Sequence, residues 1–139
     1  MDKEVISAKL ESLRRCIRRI QDKTPTSAAI LFEDNDLQDI ICVNLERAVQ
    51  TCVDLASHIV AESDLPAAGS MGESFDQLHR LDLISDELAM RMKKAVGFRN
   101  VAVHAYQEIN WKMVYSIITT RLVDFVDFAK AVSRVAGLP

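Results

Sequence analysis

Apolar residues recur at spacings of three and four through most of this chain, and that interval leaves little room for anything but helix. Ile6, Leu10, Leu13, Ile17 and Ile20 form one series. Leu37, Ile40, Ile41, Leu45, Ala48, Cys52, Leu55, Ala56 and Ile59 form a second, and Val114, Ile117, Ile118, Leu122, Phe125, Phe128, Ala129 and Val132 a third. Each puts its apolar side chains on one face of a 3.6-residue turn. Breakers are scarce, with 4 Gly and 3 Pro in 139 residues, and aromatics make up only 6%. These features predict an all-α, antiparallel bundle of about five helices, forming a single domain over residues 1–139. A chain of this length can bury one core without disulfide or metal staples.

Punctuation places the boundaries. The first helix should end near Lys23, because Pro25 disfavours the α conformation at Thr24. A loop is expected from Ala28 to Asp36, its apolar middle packed back on the core and its acidic end suited to a helix N-terminus. The second helix should run from about Asp36 to Ala61. Its apolar stripe is wider than one neighbour requires, which leaves part of it for a second subunit. Ser63 to Gly72 reads as a loop. Phe75, Leu78 and Leu81 mark a short third helix with His79 on its polar side, and Ser85 caps a fourth whose first turn is acidic and later turns basic. Asn110 should cap the last helix, which runs to about Ala136 with Gly137 just beyond its end. Trp111 is expected to staple that helix to the core, with packing beside the adjacent polar stretch as the alternative.

Charge and cysteine usage narrow the function classes. Cys16, Cys42 and Cys52 lack the short pairing of metal or redox sites and read as buried free thiols. Repeated Glu-x-x-His pairs, which four-helix carboxylate metal sites need, are missing, so His58 and Glu62 read as structural and no metal is expected. The beginning of the chain carries no apolar leader, and no run approaches the roughly 20 apolar residues of a membrane span, so a cytoplasmic protein is expected. A net charge of −3 opposes indiscriminate binding of nucleic acid. Any RNA contact must use a local cluster. Two stretches offer one: Arg14, Arg15, Arg18 and Arg19 on the first helix, and Arg80, Arg91, Lys93, Lys94 and Arg99 later on. The first group is either a phosphate-contacting edge or a solvated rim in which Glu11 pairs with Arg15.

The second group leads into Gly97-Phe98-Arg99-Asn100-Val101-Ala102-Val103-His104-Ala105-Tyr106, where a guanidinium, a carboxamide, an imidazole and a phenol fall within eight residues. Arginine offers phosphate a planar fork of donors, and histidine exchanges protons near neutrality. Together they suffice for cleavage of RNA without a metal. The imidazole assists loss of the 2′-hydroxyl proton or protonates the 5′-oxygen leaving group, while the guanidinium stabilises charge on the phosphoryl oxygens. Asn100 can bind phosphate or fix the imidazole tautomer. In a straight helix, however, residues five apart are turned by roughly 140° from each other. Either the helix breaks before His104, or the groups converge from two subunits. A purely structural reading makes Arg99 a helix-end cation, His104 a cap and Tyr106 a packing residue.

The stretch from Arg99 to Tyr106 fits R-x4-H-x-Y, one form of the R-x4-6-H motif of HEPN domains, and resembles the HepT toxins in particular. Gly97-Phe98, Leu45-Glu46-Arg47-Ala48, Asp54-Leu55-Ala56-Ser57-His58-Ile59 and the helix order share in the likeness, which covers nearly the whole chain and is vaguest between Ser63 and Gly72. The resemblance implies a homodimeric, metal-independent endoribonuclease, the toxin of a type II-like toxin–antitoxin system, with the motifs of both subunits in one composite cleft. It makes Arg99 and His104 catalytic and Asn100 supporting, gathers Lys93 and Lys94 as possible RNA-binding residues, and requires no cofactor. Its antitoxin would be a minimal nucleotidyltransferase that transfers AMP to Tyr106. Added phosphate there would compete with RNA for the same cations. The alternative is a non-catalytic helical module that binds nucleotide or a partner protein.

Overall fold

The computed structural model describes residues 2–139, and every regular element among them is helical. They are α1 (Lys3–Lys23), α2 (Ala28–Glu33), α3 (Asn35–Val60), α4 (Met71–Arg80), α5 (Asp86–His104), a 3₁₀ turn (Tyr106–Glu108), α6 (Trp111–Thr120) and α7 (Leu122–Ala136). No helix among the described residues is long and apolar enough to cross a membrane.

The long helix α3 is the axis of the bundle. α1, α2, α4, α5 and α7 all pack against it, and this accounts for the width of its apolar stripe. Leu45, Ala48, Cys52, Leu55 and Ala56 are almost fully buried within the one chain, while Leu37 and Ile40 at the start of the stripe are only partly buried. Ile6, Leu10, Leu13 and Ile20 of α1 close one side of the core. Phe75 of α4 meets Phe128 of α7 edge to face on another, with ring centroids 5.4 Å apart. All three cysteines are free and buried.

Caps occur where the sequence signals them. Asp2, Ser85 and Asn110 accept backbone N–H groups of α1, α5 and α6. Gly137 ends α7 at φ 68°, the left-handed conformation that costs glycine least. Asp82 closes α4 in the same region at φ 60°, a position in which aspartate is tolerated.

The helices depart from the periodicity in two places. The expected loop from Ala28 contains α2, capped by Ser27 and closed by Gln38, whose Nε2 donates to the Leu31 and Phe32 carbonyls at 3.0 Å each. Asp34 ends α2 and caps α3, its Oδ1 accepting the Leu37 N–H at 3.1 Å. The expected last helix is divided at Arg121, where the backbone turns to φ −115°. Just before it, the hydroxyls of Thr119 and Thr120 donate to the carbonyls of Tyr115 and Ser116, at 2.7 and 2.6 Å. Such back-bonding loosens the helical ladder and favours a bend. Glu11 pairs with Arg14 at 3.3 Å, one residue earlier than the expected Arg15.

Candidate functional site

The polar stretch occupies the end of α5 and the turn beyond it. α5 is held in place at its first half by a knot of charge. Arg91 Nη1 lies 2.8 Å from Asp124 Oδ1 and 3.4 Å from Asp127 Oδ2 of α7, and Arg121 Nη2 lies 3.0 Å from the same Asp124 oxygen. Asp124 is buried, and its hydrogen bond holds Arg91 more firmly protonated than an ordinary arginine. Met92, Val96 and Ala102 face the core, so the helix reaches the motif as a continuous rod.

The helix does not break before His104. It runs through that residue and ends at Ala105, whose N–H still bonds the Val101 carbonyl at 2.8 Å. Arg99 and His104 therefore stand roughly 7.5 Å apart along the axis and on different faces. Gly97 lies inside the regular helix and marks no break. Arg99 is half-buried. Its Nη1 donates to Asn100 Oδ1 at 3.4 Å, and its Nε is shielded from solvent with no hydrogen-bond partner among the described residues. Asn100 and His104 are exposed.

Beyond the helix, Ala105 turns the chain at φ −143°, ψ 48° into the 3₁₀ turn that carries Tyr106. Its hydroxyl donates to Asp39 Oδ1 of α3 at 2.7 Å. Its ring meets Trp111 edge to face at 5.8 Å. Trp111 thus does both things open to it, packing on the core and flanking the motif. Burial, and then the bond to Asp39, push the Tyr106 phenol well above its ordinary range.

The local excess of positive charge is smaller than the sequence indicates. Arg91 is taken up by Asp124 and Asp127, and Lys93 Nζ sits 3.1 Å from Asp76. Among the described residues, Lys94 and Arg99 have no carboxylate partner. Four exposed apolar side chains surround the motif: Val101, Val103, Met113 and the ring of Tyr106. No three His, Cys, Asp or Glu side chains cluster as metal ligands would among the described residues.

The profile of the HepT-like family, described as ribonuclease HepT-like, matches residues 13–132. The chain belongs to the HepT-like family. It is similar to the mRNA nuclease HepT of Shewanella oneidensis, 37% identical over 125 residues that cover 90% of this chain and 93% of that protein. It is more distantly similar to the tRNA nuclease HepT of Aphanizomenon flos-aquae, 22% identical across 93% of this chain and 88% of that protein. Among solved structures, it superposes on the tri-AMPylated Shewanella oneidensis HEPN toxin in complex with MNT antitoxin. The TM-score is 0.89, at 35% identity over 96% of this chain and 99% of that one. A toxin–antitoxin structure with AMP-PNP gives a TM-score of 0.88 at the same identity, over 95% of this chain and 99% of that one.

In this HepT-like chain a cavity lies beside the polar groups of the motif and does not include them. About 650 Å³ opens between α3, α5, α6 and α7, walled by Leu45, Val49, Phe98, Val101, Met113, Ile117 and Phe125, with Lys94 and Arg121 among its polar residues. None of Arg99, His104 and Tyr106 lines it. Asn100, His104 and Tyr106 instead stand at an open surface, with Arg99 half-buried beside them. Asp39 is the residue that sequence reasoning missed. It lies 67 positions from Tyr106 in a helix read only for its apolar stripe, and no local pattern points to it.

Proposed function

We propose that this chain is an endoribonuclease toxin that cleaves RNA without a metal ion and is silenced by a nucleotidyltransferase antitoxin through AMP transfer to Tyr106. The observation that carries the reading is the complete Arg99 to Tyr106 motif at the open end of α5, in a chain whose relatives bear the names of nucleases. Arg99 stabilises charge on the phosphoryl oxygens, His104 handles the proton of the 2′-hydroxyl or of the leaving 5′-oxygen, and Asn100 supports them. Lys94 adds charge for the RNA backbone, and Lys93 joins it when it leaves Asp76.

Two copies share the site in this reading. A continuous helix keeps Arg99 and His104 of one chain on different faces, so a catalytic pair is best made by Arg99 of one copy and His104 of another. The exposed apolar rim of Val101, Val103 and Met113 supports such a face.

The test is RNA cleavage in excess EDTA. The wild-type protein should remain active, and Arg99→Ala and His104→Ala should each lose at least about a hundredfold. Loss of activity on chelation would overturn metal independence, and cleavage undiminished in either variant would overturn the residue assignment.

A further inference from the structure

The contact between Tyr106 and Asp39 assigns a second residue to the modification chemistry. We propose that Asp39 positions the Tyr106 hydroxyl and accepts its proton as the nucleotide is transferred, an inference that rests on Tyr106 being the modified residue. The geometry is specific. The hydroxyl is 2.7 Å from Asp39 Oδ1, the ring is packed at its side by Trp111, and the residue as a whole stays 38% exposed. The reacting oxygen is therefore aimed and reachable at once.

A phenol titrates near 10 and is protonated, hence a poor nucleophile, at neutral pH. Here the free phenolate is harder still to form. Burial, the bond to Asp39, and Cys42 and Glu46 on the same face of α3 all disfavour it. Trp111, packed from α6, carries no titrating proton. A phenolate formed ahead of attack is thus disfavoured, and the proton must leave while the new bond forms. Among the described residues, the only group bonded to that proton is the Asp39 carboxylate. The step balances as follows. Tyr106 Oη bonds to the α-phosphorus of ATP, the bond from that phosphorus to the pyrophosphate oxygen breaks, pyrophosphate departs with the electron pair, and the phenolic proton passes to Asp39 Oδ1 and on to water. Once modified, Oη has no proton to donate. Any nucleotide added onto the first attaches to a sugar hydroxyl, which no longer faces Asp39.

Asp39→Asn separates the two roles, because the amide carbonyl can still accept the hydrogen bond but cannot take the proton. The variant is incubated with ATP and an MNT-type nucleotidyltransferase shown to modify the wild type, and the mass of the Tyr106 peptide is followed with time. The first addition should slow by at least about a hundredfold, while thermal melting and RNA cleavage stay as in the wild type. The residual rate should climb about tenfold per pH unit, since hydroxide must replace the carboxylate as base. Asp39→Ala, which loses the hydrogen bond as well, should be slower again. If Tyr106→Phe is unmodified yet Asp39→Asn reacts as fast as the wild type, the Asp39 assignment falls alone. If the wild type is not modified, or Tyr106→Phe is modified equally, the reading of Tyr106 falls and this inference with it.

Discussion

Arg99 shows at single-residue scale why charge alone does not describe this site. Its Nε is shielded and unpartnered while its outer nitrogens are available, so the planar fork is presented in one orientation. Lysine supplies the charge without the fork. Arg99→Lys should therefore lose about a hundredfold in RNA cleavage at unchanged melting temperature, the scale of removing one oriented donor. Cleavage kinetics beside a thermal melt would check it. Cys42 carries a second prediction. Burial pushes its thiol from an ordinary 9.0 up to about 12. A thiol with a raised folded-state pKa stabilises the fold fully below its unfolded pKa, and that contribution is lost as pH rises through the folded value. Urea midpoints should fall between about pH 9 and pH 12, and less steeply in Cys42→Ala. The motif was legible at this scale because its residues are adjacent in sequence and carry distinctive chemistry. Asp39 was not, since its role exists only once the turn after α5 folds back onto α3.

The elements follow the same division. α1, α3, α5 and the helical character of residues 111–136 were legible because amphipathic spacing persists over several turns, and Ser85 and Asn110 are usual capping residues. α2 was not, because six residues are too few to show a period and its closure depends on Gln38, from the following helix. The bend at Arg121 has neither Gly nor Pro to announce it, only paired threonines whose hydroxyls reach back. Gly97 invites the opposite error, since it suggests a loosened helix where the structure has a regular one. A methyl group added there would meet nothing within 4 Å. Gly97→Ala should stabilise α5 by about 0.5–1 kcal/mol, and raise the melting temperature by about 2–6 °C in calorimetry.

At the scale of the whole molecule, the question is how two motifs meet. If Arg99 of one copy works with His104 of another, the inactive Arg99→Ala and His104→Ala proteins complement each other when mixed. Statistical exchange makes half of the dimers hybrid, each with one intact pair of two, so about a quarter of wild-type cleavage should return. No recovery after verified subunit exchange would place both groups of the working pair in one chain. The sequence raised this possibility through helical geometry, and the unbroken α5 removes a break before His104 as the alternative.

The Arg91–Asp124 knot rivets the first half of α5, while its tip at His104 is steadied by Ala102 in the core and by the Tyr106–Asp39 bond just beyond it. Arg99 sits nearer the rivet, and His104 is the last residue before the helix yields. Fraying begins at such tips and is opposed only by local contacts. Arg99 and His104 thus stand on parts of one helix with unequal thermal endurance. On warming, His104 should lose its registration before Arg99 and the bundle beneath it do, and amide exchange in the last turn of α5 should outpace that around Val96 well below the melting of the core.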